Sequence, residues 1–160
     1  MITLTRRYHF SASHRLHVAV LSDRENAELY GKCNNPFGHG HDYILEVTVS
    51  GPVDPVSGLI VPLAKLDRLI EEKVVRLFSS RNINLDIPQF AAVVPTTENI
   101  ASVIVTLIQA SWRAYIDDPA VEFLRVHVQE TDRNGFEIRT RALPSKPKTS
   151  FETEGVPVHA

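Results

Sequence analysis

The sequence predicts an α+β domain, a four-stranded antiparallel sheet with two helices on one face. Two observations carry the expectation. Apolar residues alternate with period two over 2–14, 42–50, 122–130 and 136–142, as half-buried strands require. Between the two pairs of strands the period lengthens to that of a helix, over 62–78 and again from Pro95 to Tyr115. The order strand-strand-helix-helix-strand-strand gives two antiparallel pairs around a helical pair. A chain of 160 residues makes one domain the default, placed at 1–142. Residues 143–160, with three prolines, lysines and small polar side chains, are expected to form a mobile tail.

In the first strand Ile2, Leu4, Tyr8, Phe10 and Ala12 share one face, with Arg6 as the exception, and Thr3, Thr5, Arg7, His9, Ser11 and Ser13 take the other. His14 ends this strand on the apolar face, where it is either a satisfied core histidine or a ligand. Residues 17–32 show no period and read as a surface loop with one helical turn. Tyr43, Leu45, Val47 and Val49 form the inner face of the second strand, and Gly51-Pro52 and Asp54 to Gly58 supply turns. The first helix carries a stripe of Leu63, Leu66, Ile70, Val74 and Leu77, with Pro62 at its first turn. Ser79 to Pro88 reads as a loop. In the second helix a threonine of Pro95-Thr96-Thr97-Glu98 is the N-cap, and Ile100, Val103, Ile104, Leu107 and Ile108 face the core. Leu124, Val126 and Val128 point inward from the third strand, and Glu130 is in phase with them. A carboxylate aimed into a core is costly unless something pairs with it. Asp132-Arg133-Asn134-Gly135 turns the chain into the last strand. The sheet's other face is polar but includes Val, Ile and Tyr, so partner subunits are expected to cover part of it.

Composition excludes several classes. The net charge of −2 offers no surface for nucleic acid. No apolar run approaches the length of a membrane span, and the N-terminus opens as a strand, not as a signal peptide. The single cysteine, Cys33, rules out an internal disulfide. It fits a reducing compartment, read as the cytoplasm, and leaves a thiol free for chemistry.

The chemistry gathers in Cys33-Asn34-Asn35-Pro36-Phe37-Gly38-His39-Gly40-His41. Two histidines two apart on an extended chain point the same way. Their Cα atoms would lie roughly 6.6 Å apart, close enough for both imidazoles to reach one metal at about 2.0–2.1 Å. Gly40 adds no bulk between them. His39 and His41 are in phase with the inner face of the second strand, and His14 with that of the first. Three histidines with an open fourth position form the pattern of a catalytic zinc site.

With these pieces in view, the chain resembles the 6-pyruvoyltetrahydropterin and 6-carboxytetrahydropterin synthase family. The resemblance rests on Phe10-Ser-Ala-Ser-His14-Arg-Leu, Gly31-Lys-Cys33 through His39-Gly-His41, Pro95-Thr-Thr-Glu-Asn99 and Gln129-Glu130-Thr-Asp132, in the family's order, and spans residue 2 to about 141. It implies the tunnelling fold, in which sheets join into a trimeric barrel and two trimers stack as a hexamer. It implies Zn2+ on His14, His39 and His41, Cys33 as the proton-transfer residue, Glu130 as anchor of a pterin's guanidine-like edge, and Thr96 and Thr97 against the pterin ring from a neighbouring subunit. Arg15 and Lys32 flank the site, where they could meet a triphosphate. The substrate implied is 7,8-dihydroneopterin triphosphate. Triphosphate would be eliminated to give 6-pyruvoyltetrahydropterin, or 6-carboxytetrahydropterin as in queuosine-type deazapurine synthesis. In one respect the chain departs from the family. An Asp-His pair, which in the family activates the cysteine, is replaced by Ser79-Ser80. Three readings stay open: a working synthase with Cys33 activated otherwise, a zinc- and pterin-binding relative with altered or lost activity, and a structural zinc site in an assembly protein.

Overall fold

The alternation of apolar and polar residues over Ile2–His14 (β1) and His39–Gly51 (β2) builds the centre of the sheet. The two strands pair antiparallel along their whole lengths, from Ile2 opposite Gly51 to His14 opposite His39. The structure is a computed structural model and describes residues 2–140; the tail expected at 143–160 lies outside the described residues. Between β1 and β2 lies a helix, Asp23–Tyr30 (α1), followed by a 3-10 turn, Gly31–Asn34. Leu63–Ile70 (α2), a π turn at Glu71–Val75 and Arg76–Phe78 (α3) form the first long helical stretch. Arg81–Asn82 (β3) and Ile83–Asp86 (α4) follow, then Thr97–Tyr115 (α5), Glu122–Thr131 (β4) and Asn134–Arg139 (β5).

The sheet has five strands in the order β3-β1-β2-β4-β5, all neighbours antiparallel except β3, which runs parallel to β1. The expected four strands therefore gain a fifth, two residues long, at Ala12–Ser13 of β1. So short a strand has no period to be read from sequence. The helices cover one face. Phe10, Tyr43, Leu45, Val47, Leu66, Ile70, Val74, Phe78, Ile100, Ile104 and Ile108 meet there at 3 % exposure or less. Fully burying one such side chain is worth about 1.5–3 kcal/mol. Arg6, the exception on the inner face, is answered by Asp67 of α2: Nη2 and Nε reach its two oxygens at 2.6 and 3.1 Å, and the Tyr8 hydroxyl donates to Oδ1 at 2.9 Å.

Three local expectations change. Residues 17–32 hold a two-turn helix because Ser22 and Glu25 cap its N-terminus reciprocally. Buried Asn26 ties that helix to the preceding loop by bonds with Val18, Leu21 and Ser22. In the first long helical stretch the π turn adds a residue to the register, so Phe78 is buried and Leu77 is only half-buried. In β4 a register shift opposite Thr48/Val49 gives the inward position to Phe123 and leaves Leu124 half-buried.

Candidate metal and pterin site

The antiparallel register of β1 and β2 sets His14 directly opposite His39, and His41 follows two residues along β2 on the same face. The three imidazoles close into a cluster whose ring centroids lie 4.7–5.2 Å apart. One nitrogen from each lies within 4.8 Å of the others. The turn entering β2 depends on Gly38, whose φ is +70°; a Cβ there would stand 2.8 Å from the His14 carbonyl oxygen. The backbone thus approaches β1 as only glycine allows.

The N-terminus of α5 supports the cluster from above. Thr96 caps the helix by accepting from the Asn99 N–H. One residue earlier, the Pro95 carbonyl is 2.8 Å from Nδ1 of His14, which is 1 % exposed. An N–H on Nδ1 leaves the lone pair on Nε2, facing His39 Nε2 at 3.2 Å. One residue later, the buried Thr97 hydroxyl donates to Glu130 Oε1 at 2.7 Å. That oxygen also lies 3.5 Å from His14 Nε2 and 3.8 Å from His41 Nε2. The inward carboxylate of β4 therefore has partners within the chain.

Burial lowers the His14 pKa most, against the pull of the Pro95 carbonyl, and the neighbouring imidazoles lower it further. His39 is lowered by burial and by His41. Neutral imidazoles are what a metal needs. Among the described residues, His41 Nε2 is sealed from water without a hydrogen-bond partner, and so is His39 Nδ1; a buried orphan of this kind costs about 1–3 kcal/mol unless something binds it. The cluster fits a divalent metal such as Zn2+: the donors are three imidazole nitrogens, one tautomer is fixed by a backbone acceptor, and one donor lacks any other hydrogen-bond partner among the described residues.

Cys33 lies half-buried in the 3-10 turn, its carbonyl accepting from the Leu16 N–H at 2.8 Å. Burial and then the Glu130 carboxylate push its thiol pKa up. Arg15 donates to the Asn34 carbonyl at 3.2 Å, and Lys32 is exposed. His17 sits against Asn34, His127 near Glu46, and His9 is exposed. Ser79 and Ser80 fall elsewhere. Ser80 adopts φ +59° and its N–H donates to the Ser11 carbonyl at 2.7 Å. It borders an open cavity of about 410 Å³ shared with Ser13, His41 and Asp42, and Cys33 does not line it.

Tyr43 is a member of the site that the motifs did not single out. It is 0 % exposed and its hydroxyl has no hydrogen-bond partner among the described residues. Its ring lies 5.6 Å from that of His41. Burial raises its pKa, helped by Glu130 and Cys33. Period two placed it on this face; nothing in the sequence marked its hydroxyl as unpaired.

Comparison with known proteins agrees with the geometry. Residues 3–141 match the family model for 6-pyruvoyl tetrahydropterin synthase. The 6-pyruvoyl tetrahydrobiopterin synthase of Poecilia reticulata is 46 % identical over 137 residues, covering 82 % of this chain and 85 % of the relative. That of Homo sapiens is 45 % identical over 131 residues, covering 82 % and 86 %. The solved structure of Caenorhabditis elegans 6-pyruvoyl tetrahydropterin synthase superposes with a TM-score of 0.77 at 38 % identity, covering 88 % of this chain and 96 % of that one. With the fold, the histidine cluster and these matches in agreement, the chain belongs to the 6-pyruvoyl tetrahydropterin synthase family.

Proposed function

We propose that this chain is a zinc-dependent lyase that converts 7,8-dihydroneopterin triphosphate to 6-pyruvoyltetrahydropterin with loss of triphosphate. The observation that carries the reading is the His14, His39 and His41 cluster with Glu130 beside it, held by Thr97. The relatives' names favour the 6-pyruvoyl product over the 6-carboxy one. Zinc on the three imidazoles would supply Lewis acidity to the substrate's side-chain hydroxyls. His14 and His41 orient that centre. Glu130 takes the guanidine-like edge of the pterin, since a carboxylate matches paired N–H donors. Thr97 fixes the carboxylate, and Thr96 and Thr97 border the ring. Cys33 moves a proton at the substrate side chain. Because its pKa is raised, the resting form is the thiol, and proton abstraction needs a partner that the bound substrate or a neighbouring subunit brings.

Assembly as a trimer or hexamer accords with the sheet's edges. Among the described residues, Ile2–Ser11 of β1 pairs on one side only, and β5 ends the sheet. Open edges of this kind are templates for pairing with another copy. No helix among the described residues is long and apolar enough to cross a membrane, and a cytoplasmic setting fits the lone thiol.

A second reading, a pterin- and zinc-binding relative with altered chemistry, is favoured by one observation: Ser79 and Ser80 offer no group that titrates near neutral pH. Turnover separates the two. Zinc-loaded protein is given 7,8-dihydroneopterin triphosphate and the pterin product is identified by mass spectrometry. The synthase reading expects 6-pyruvoyltetrahydropterin and free triphosphate; tight binding with no product after long incubation would establish the second.

A further inference from the structure

We propose that Asn84 is a positioning residue for Cys33, acting through Arg15. It fixes the segment that follows β1, and that segment fixes the turn that carries the thiol. The thiol's part in the reaction rests on the synthase reading, but its positioning rests on hydrogen bonds alone.

The 3-10 turn Gly31–Asn34 buries none of its residues, so core packing does not hold it. A turn with so few buried contacts opens easily unless polar bonds tie it down. Its ties run to the residues just past β1. The Leu16 N–H donates to the Cys33 carbonyl at 2.8 Å. Arg15 Nε donates to the Asn34 carbonyl at 3.2 Å, and Asn34 Nδ2 returns a bond to the Leu16 carbonyl at 2.7 Å. The Asn34 amide also stands 3.1 Å from His17 Nδ1. Cys33 and Asn34 are thus held by a segment that itself lies outside the sheet, because β1 ends at His14.

That segment is held in turn from 69 positions away in sequence. Asn84 Oδ1 accepts from the Arg15 N–H at 2.8 Å, and Asn84 Nδ2 donates to the Arg15 carbonyl at 2.9 Å. One side-chain amide takes both backbone groups of one residue, as a neighbouring strand would. The footing of Asn84 is firm. Ile83 and Ile87 of the same stretch are 1 % exposed or less. The Asn82 side chain caps α4 by accepting from the Asn84 N–H at 3.1 Å, and the Asn82 N–H donates to Asp86 at 2.8 Å. The path from core to thiol therefore runs through Asn84, Arg15 and the turn. Without the amide, Arg15 loses both backbone partners and the turn loses its fixed support. A displacement of the thiol by as little as 1 Å can cost about 10² in rate, while groups that bind the substrate elsewhere stay in place.

Wild type, Asn84→Ala, Asn84→Asp and Ile83→Val are compared by turnover of 7,8-dihydroneopterin triphosphate and by the rate of iodoacetamide alkylation at fixed pH. Cys33 is the only cysteine, so alkylation reports on it alone. N84A should be alkylated several-fold faster than wild type, with kcat lower by about 10² and KM little changed. N84D, which keeps the acceptor for the Arg15 N–H, should fall between the two. I83V trims the footing of α4 without touching Arg15, so it should lower Tm and leave alkylation and kcat as in wild type. Alkylation of N84A at the wild-type rate would overturn the proposal, whatever happens to kcat. So would faster alkylation with unchanged kcat, or an I83V protein that reproduces the effects of N84A. Wild type that turns nothing over would end the synthase reading, while the alkylation rates would still decide whether Asn84 holds the thiol in place. Should N84A fail to fold, N84D decides by the same rate: faster than wild type supports the proposal, and equal overturns it.

Discussion

Two corners of the same sheet edge have fared differently. At the ends of β1 and β2 the histidine cluster keeps its full support: the Pro95 carbonyl on His14, Thr97 on Glu130, and Gly38 letting the backbone come close. A few residues back along β1, Ser79 and Ser80 keep a demanding backbone, with φ +59° at Ser80 and its N–H on Ser11, yet carry no side chain able to move a proton near pH 7. The first corner brings together three imidazoles that fit a metal; the second holds a left-handed backbone and side chains that do not titrate near neutral pH. The difference lies in what each corner needs: a metal cluster depends on many linked contacts, a proton relay on one or two side chains.

The largest effect should come from breaking the intact corner. His41→Ala removes the imidazole whose Nε2 has no hydrogen-bond partner among the described residues, so little structure is lost with it. Metal affinity should fall by more than about 100-fold, beyond what loss of an outer-shell partner costs. Turnover should become undetectable. Metal content after dialysis and thermal unfolding read the two effects separately; retained stoichiometric zinc would contradict the cluster as the metal site.

Next in size is the repair of the other corner. A Ser79→Asp, Ser80→His double variant should raise turnover by about 10², the low end of what a positioned acid–base group contributes. Ser80 already occupies the left-handed region, which histidine and aspartate enter more readily than most residues. The variant should therefore fold as the parent does. Unchanged kcat at full folding would mean that another group already moves the proton.

A smaller effect tests the turn that joins the two strands. Gly38→Ala meets both a φ of +70° and a carbonyl oxygen at 2.8 Å, whereas Gly31, at φ +52°, has nothing within 4 Å of a built Cβ. Gly38→Ala should cost about 1–3 kcal/mol, read as a fall of several degrees in Tm at this chain length. Gly31→Ala should cost less. Equal Tm changes would show that the close approach to His14 contributes nothing.

The same contrast governs what could be read from the chain. The cores of β1 and β2 were legible because a strand with one buried face must alternate. The period that found Tyr43, Leu45, Val47 and Val49 also brought His14, His39 and His41 into phase. An inward Glu130 was legible as an anomaly, but its partners were not: Thr97 is 33 positions away in sequence, and the contact exists only once α5 lies across the sheet. Helix α1 buries only Asn26, so no apolar stripe announced it, although Ser22 and Glu25 have the spacing of a capping box. The π turn at Glu71–Val75 and the register shift beside Leu124 each insert a residue. An insertion moves every later side chain to a new face, and the packing that selects its place is tertiary.

The finest test weighs Cys33 against Glu130. Burial raises the thiol's pKa first, and the Glu130 carboxylate adds to it, since a nearby negative charge opposes thiolate formation. Alkylation of Cys33 by iodoacetamide, followed against pH, should therefore show a midpoint above the ordinary thiol value in metal-free protein. Glu130→Gln removes the charge and leaves most of the burial, so its midpoint should move down but stay above that of the unfolded chain. The sign for stability follows. A folded-state pKa above the unfolded one means that the native thiol holds its proton where the unfolded one has released it. Cys33's contribution is thus fully present below the unfolded value and is lost as pH rises through the folded one. Metal bound at the cluster should lower the alkylation midpoint as well, because a divalent charge beside Glu130 offsets the carboxylate. A midpoint that ignores both the substitution and the metal would place Cys33 outside the electrostatic reach of the site, and the proton-transfer role proposed for it would have to pass to another residue.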